Sequence, residues 1–327
     1  MRAARDALRQ LLAAHPDHCS GITIENDLAV MLHALGELAE AETMARRSLQ
    51  SWKGVAHTET LSLLVLGAVL TSAGRHAEAD AALGRALALA REQASPGFEA
   101  EAQVRRARLL LQCGRYALAR QALDAAAPLL AASAEPLRVS QYTATQWLVA
   151  SAAGQPPDPA LHGRLHAIGS RSAHPWVQLR LVRVDIEQAL AGADAARAAA
   201  SAERMAAIAR DAGLLEALAE ALLLRVRAGH LLGEAAATLR APALEAQTLA
   251  AAQGLADAAW RAAGWLDAID GRHAESTATR AARRVLLGPT RPALFDAAAA
   301  ARREPGVTAP APGRAPIPRT RGADSGG

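Results

Sequence analysis

The chain has 327 residues, 51% of them hydrophobic but only 3% aromatic, with a formal net charge of +4. Length alone suggests about two domains, whereas abundant alanine and leucine with few β-branched residues favour helix along nearly the whole chain. Five arginines against Glu304 and Asp324 put +3 of the charge into residues 301–327. The remaining body, near +1, argues against a nucleic-acid partner.

The longest apolar run, Leu61 to Leu70, is about half of what a membrane span requires. The N-terminus lacks the basic-then-apolar order of a signal peptide. Cys19 and Cys113 stand far apart and outside any CxxC pattern, so neither a disulfide framework nor a zinc knuckle is expected. These features point to a soluble cytoplasmic chain.

In chain order, residues 1–18 come first. Ala4, Leu8, Leu11, Leu12 and Pro16 are spaced as the small, apolar and closing residues of the second helix of a helix pair. This piece is expected to be half of a repeat, left from a longer polypeptide, or an N-terminal cap. Residues 19–287 follow as a helical array. Within it, Leu63, Leu66, Gly67 and Leu70 share one helix face, and Gly74 ends that helix as a left-handed cap requires. The next helix begins near Ala77 and turns Ala79, Leu83, Ala86 and Leu87 inward, while Gly67 and Ala79 let the two backbones approach closely.

Glycines that separate helices recur at Gly36, Gly74, Gly114, Gly154, Gly192 and Gly271, in steps of 38, 40, 40, 38 and 79. The last step spans two units with one glycine missing or degenerate. Pro156, Pro157 and Pro159 delay the second helix of the fourth unit, and the turn between Gly229 and Pro242 is irregular. From residue 288 onward a short helix over 293–303 gives way to a proline-, glycine- and arginine-rich stretch expected to be disordered.

The pairs Leu28-Ala29, Gly36 and Glu40-Ala41, then Leu66-Gly67, Gly74 and Glu78-Ala79, resemble the tetratricopeptide repeat. Ala107, Gly114, Tyr116 and Ala119 follow the same pattern, as do Trp260, Gly264, Gly271 and His273. The long period and the run GITIENDLAVMLHALGELAEAETMARRSL look most like the kinesin-light-chain type. The resemblance covers 22–127 and 255–287 and fades over 128–254. It implies an all-α, right-handed α-solenoid of antiparallel helix pairs, with six to seven units, that binds a protein or peptide.

Catalytic signatures are missing. There is no phosphate loop, no GxSxG, no HExxH, and no HRD or DFG around Lys53, the only lysine. No cofactor is expected. His162 and His166 lie one helical turn apart and could give two metal ligands, but no third is evident nearby, so a solvent-facing role is expected and no metal is assigned. His15 and His18 flank a turn. Glu40 with Glu42, and Glu99 with Glu101, point to different sides of their helices and read as solvated.

In arrays of the resembled type the first helix of each pair lines a concave groove. That register assigns Asn26, Val30 and His33, then Leu64, Ala68 and Thr71, then Val104, Arg108 and Gln112 to the groove. Asn26 stands where the resembled repeat holds a peptide backbone, for which an amide that donates and accepts is suited. Arg108 could grip a carboxylate with two bonds. Leu61 and Leu64 make the second unit apolar, which favours an amphipathic helix or extended peptide over an acidic tail. The alternative is a sensory array of a longer signalling protein, downstream of a serine/threonine kinase or an ATPase-type regulator domain.

Overall fold

The computed structural model describes residues 2–14, 21–52, 54–131, 133 and 135–271. Among these, fourteen helices and no strand are found: α1 (Arg2–Ala14), α2 (Gly21–Ala34), α3 (Leu38–Ser51), α4 (Ala56–Ser72), α5 (His76–Glu92), α6 (Pro96–Gln112) and α7 (Tyr116–Leu130) form the first half. The second half comprises α8 (Pro136–Ala152), α9 (Pro159–Gly169), α10 (Pro175–Ala191), α11 (Ala195–Ala212), α12 (Leu215–Leu231), α13 (Ala236–Gln253) and α14 (Ala256–Ile269). Consecutive helices pack in pairs, α2 with α3 through α12 with α13, giving an all-α solenoid. His15, Pro16, His18, Cys19, Lys53, His273 and everything beyond residue 271 lie outside the described residues.

The turn inside each pair repeats one local solution. At Gly74 (φ +74°) the amide of Gly74 donates to Thr71 and that of Arg75 to Leu70, which satisfies two carbonyls at the end of α4 as a left-handed cap does. The same two bonds recur at Gly36, Gly114 and Gly154. They recur at Gly233 (φ +73°), one repeat before Gly271. The expected missing glycine is therefore Gly233, hidden because the step before it is a little long. In the fifth unit the left-handed residue is not Gly192 but Ala193 (φ +57°). Its Cβ makes that conformation costly by about 1 to 2 kcal/mol.

The even-numbered helices each touch the next even-numbered one, whereas the odd-numbered helices contact chiefly their sequence neighbours. The even set is thus the inner, concave layer. Close approach within a pair rests on small residues, as expected: a methyl group on Gly67 would lie 2.5 Å from both Cγ and Cδ2 of Leu83, a fully buried side chain.

Residues 61–70 of α4 carry apolar side chains on every side of the helix, and a stretch of that kind must be surrounded. Leu63, Leu64, Val65, Leu66, Val69 and Leu70 are all buried. The array curls until its far end reaches its beginning. Ala219 of α12, Ala250 of α13 and Leu255 share one core with Leu28, Leu32, Leu64 and Leu70, and Ala34 joins the core of α10 to α14. At the α2–α3 turn, a methyl group on Gly36 would stand 3.2 Å from Leu215 Cβ and 3.3 Å from Gln253 Cγ.

The carboxylates read as solvated are tied between units. Glu40 accepts from Arg9 Nε at 3.0 Å, Glu42 from Arg75 at 2.6 Å and Glu99 from Arg91 at 2.8 Å. Glu101 pairs with Arg105 of its own helix at 2.5 Å and meets Arg138 of the next unit at 4.0 Å. The exposed pairs contribute at most about 1 kcal/mol each.

Candidate interaction surface

Four of the nine residues assigned to the groove are buried. Asn26, 1% exposed, turns toward α3 and donates to Ser48 Oγ at 3.2 Å, which in turn bonds Ser62 Oγ at 2.9 Å. It fastens α2 to α3 and α4 and is closed to a peptide backbone. Leu64 and Val104 are core residues at 1% and 3% exposure, and Thr71 donates back to Gly67 O at 2.7 Å. Leu64, half of the apolar pair that favoured a helical ligand, belongs to the chain's own core, which Ala219 of α12, Ala250 of α13 and Leu255 share. Val30, Arg108 and Gln112 are exposed, and Ala68 is half-buried.

His33 is half-buried in the closure itself. Its Nε2 lies 3.0 Å from Ser72 Oγ, and Ser72 donates to Glu216 Oε1 of α12 at 3.1 Å. Burial, aided by the charges of Arg105 and Arg108, pulls the His33 imidazole down to about 3. Burial also raises the Glu216 carboxyl above its ordinary range. Ser72 is itself buried, so this trio is a clasp across α2, α4 and α12 and offers no nucleophile to a substrate. The one described cysteine, Cys113, is a free thiol pushed up to about 11 by burial, which leaves it unreactive near neutral pH.

Beyond the closure the inner layer becomes charged. Arginines on successive inner helices reach back to the preceding one: Arg105 Nη1 donates to Leu64 O at 2.9 Å, Arg138 Nη1 to Gly97 O at 2.9 Å, and Arg180 Nη1 to Leu137 O at 2.7 Å. Burial works against ionisation of Glu101, but Arg105, Arg138 and Arg180 outweigh it and hold its carboxyl below the usual range. Farther along, Arg183 bonds Glu220 at 2.7 Å and Glu187 at 2.5 Å. That cluster is internally balanced.

Arg180 is not balanced. Its other acceptors are Ser140 Oγ at 3.0 Å and Gln141 Oε1 at 3.3 Å, both neutral. No carboxylate lies in ion-pair range among the described residues. Burial and the nearby charges of Arg108 and Arg105 pull its guanidinium down to about 9, against the opposing charge of Glu101. A cation held so by neutral acceptors is costly, and an arriving anion lowers that cost. The groove register included Arg108 but not Arg105, Arg138 or Arg180. The available signal was an arginine recurring on consecutive inner helices.

Residues 22–92 match the tetratricopeptide repeat family model. Among solved structures, the chain is similar at 14% identity to a tetratricopeptide repeat protein from Parabacteroides merdae, over 86% of this chain and 90% of that one, with a TM-score of 0.39. No curated protein matches.

Proposed function

We propose that the chain, with tetratricopeptide repeats over residues 22–92, is a non-catalytic scaffold whose inner face across α6, α8 and α10 receives acidic side chains of a partner polypeptide. Repeats of this family indicate protein–protein interaction in general. The observation that carries the finer reading is Arg180, a guanidinium whose acceptors among the described residues are all neutral, beside the exposed Arg108. Arg108 supplies the solvent-facing grip and Gln112, one turn on, a neutral donor. Leu64 is part of the core, which favours an acidic ligand over an apolar helix. No helix among the described residues is long and apolar enough to cross a membrane.

Fluorescence anisotropy with a labelled glutamate-rich peptide tests this, a lysine-rich peptide of equal length being the control. Loss of one charge-assisted contact, about 1.5 to 3 kcal/mol, should weaken binding of Arg108→Ala by roughly 10- to 100-fold. Equal binding of both peptides, or an unaffected Arg108→Ala, would refute the assignment.

A second reading is a sensory array within a longer signalling chain that carries a kinase or regulator domain. The His33–Ser72–Glu216 clasp favours it, since a closure joined by three polar groups is one a ligand can open. An in-frame upstream continuation encoding such a domain would support it, and an in-frame stop beside a ribosome site would sink it.

A further inference from the structure

The short helix α9 interrupts the regular array. It starts at Pro159, with Asp158 capping it by accepting from Ala160 N at 2.9 Å. The cap and proline set the helix phase so that His162 and His166, one turn apart, both face α10. There they meet Asp185, a carboxylate only 5% exposed. The expectation that the histidine pair has no third ligand is thereby corrected: residues 19 and 23 positions away are brought into contact by the α9–α10 pairing.

Three atoms converge. His162 Nε2 is 2.8 Å from Asp185 Oδ1, His166 Nε2 is 3.1 Å from the same oxygen, and the two nitrogens are 3.0 Å apart. Each can present a lone pair toward a common point. Protons alone serve this triangle poorly, because two Nε2 atoms in contact cannot both keep one without opposing each other. A cation satisfies all three at once. At about 2.1 Å from each atom, the usual zinc-to-imidazole or zinc-to-carboxylate distance, an ion would sit about 1.2 Å above their plane. Four-coordinate geometry then leaves one position on the side away from the protein ligands.

The surroundings fit such a centre. Arg204 Nη2 of α11 takes Asp185 Oδ2 at 2.9 Å, which fixes the carboxylate and leaves Oδ1 free to ligate, as outer-layer partners of metal ligands do. The indole of Trp147 lies 5.7 Å from the His162 ring and walls the inner side. His166 is half-exposed, which gives an entry path.

We propose that His162, His166 and Asp185 form a binding site for one divalent transition-metal ion of the zinc class, with its fourth position open to solvent. Two imidazoles select against magnesium and calcium, which prefer all-oxygen sites. Bound there, the ion pins α9 to α10 where the array is least regular. The proposal does not depend on the acidic-ligand reading above.

The test uses the full-length, untagged chain after treatment with a chelator. Calorimetric titration with Zn²⁺ should show one equivalent bound with a dissociation constant on the order of 1 µM or tighter. Co²⁺ should give the visible absorption of a four-coordinate ion. His166→Ala removes a half-exposed ring, so helicity should be unchanged while affinity falls at least about tenfold. Asp185→Asn should do the same, and His230→Ala, a histidine of α12, should change nothing. Mg²⁺ should not compete. The proposal is overturned if no zinc binds at about 100 µM, or if stoichiometric binding survives both His166→Ala and Asp185→Asn.

Discussion

The first two helix pairs and the middle of the array solve the same packing problem with opposite outcomes. In α2 to α5 the inner helices bury Leu28, Leu32, Leu64 and Leu70, and residues of α12 and α13 join that core, so the segment that best fits the repeat pattern turns much of its inner layer to packing. In α6 to α10 the inner helices carry Arg105, Arg108, Arg138 and Arg180, and this less regular part keeps a charged face. Fidelity to a repeat reports how a pair packs within itself. It says nothing about what lies across the groove.

Four substitutions sharpen this contrast, taken from the largest expected effect to the smallest. Leu64→Ala should cost about 2 to 5 kcal/mol in chemical unfolding and leave acidic-peptide affinity unchanged. A lost affinity with intact stability would return Leu64 to a groove. Gly67→Ala places a methyl group against Leu83, which is fully buried and has nowhere to go. Despite better helix propensity it should destabilise by about 1 to 2 kcal/mol, and a stabilised variant would show that the α4–α5 contact is looser than described.

The clasp predicts a pH effect. Because the folded state holds the His33 imidazole at about 3, below its ordinary value, the unfolded chain takes up the proton first. His33 therefore takes away stability as pH falls from about 6.5 toward 3, on the order of 1 to 2 kcal/mol by pH 5, while the raised Glu216 carboxyl works in the opposite direction. His33→Gln should flatten this part of a stability–pH curve, and an unchanged slope would remove His33 from the closure. Smallest is Ala193→Gly. It relieves a left-handed alanine in the fifth turn and should stabilise by about 0.5 to 1 kcal/mol, read as a higher unfolding midpoint. A loss would mean the turn is not strained.

The helices and most of their turns were legible in the sequence. Leu63, Leu66, Gly67 and Leu70 mark a buried face at helical spacing, and Gly36, Gly74, Gly114 and Gly154 occupy left-handed positions where glycine carries no Cβ penalty. Gly233 and Ala193 escaped because a turn can shift by a residue and keep its hydrogen bonds. Of the residues assigned to a groove, Arg108 and Gln112 stay exposed, whereas Asn26 bonds Ser48 and Leu64 joins the core.

What the sequence by itself determined is local: where helices start and stop, which residues face their pair partner, and that the chain is a solenoid. These follow from backbone conformational preference and from contacts a few turns apart. Only the tertiary structure decided that α12 returns to α2 and α4, that Asp185 meets His162 and His166, and that no carboxylate among the described residues comes within ion-pair range of Arg180. The first depends on curvature summed over many small rotations between neighbouring pairs, the other two on how adjacent helices pack side by side. A short stretch of sequence carries no record of that sum.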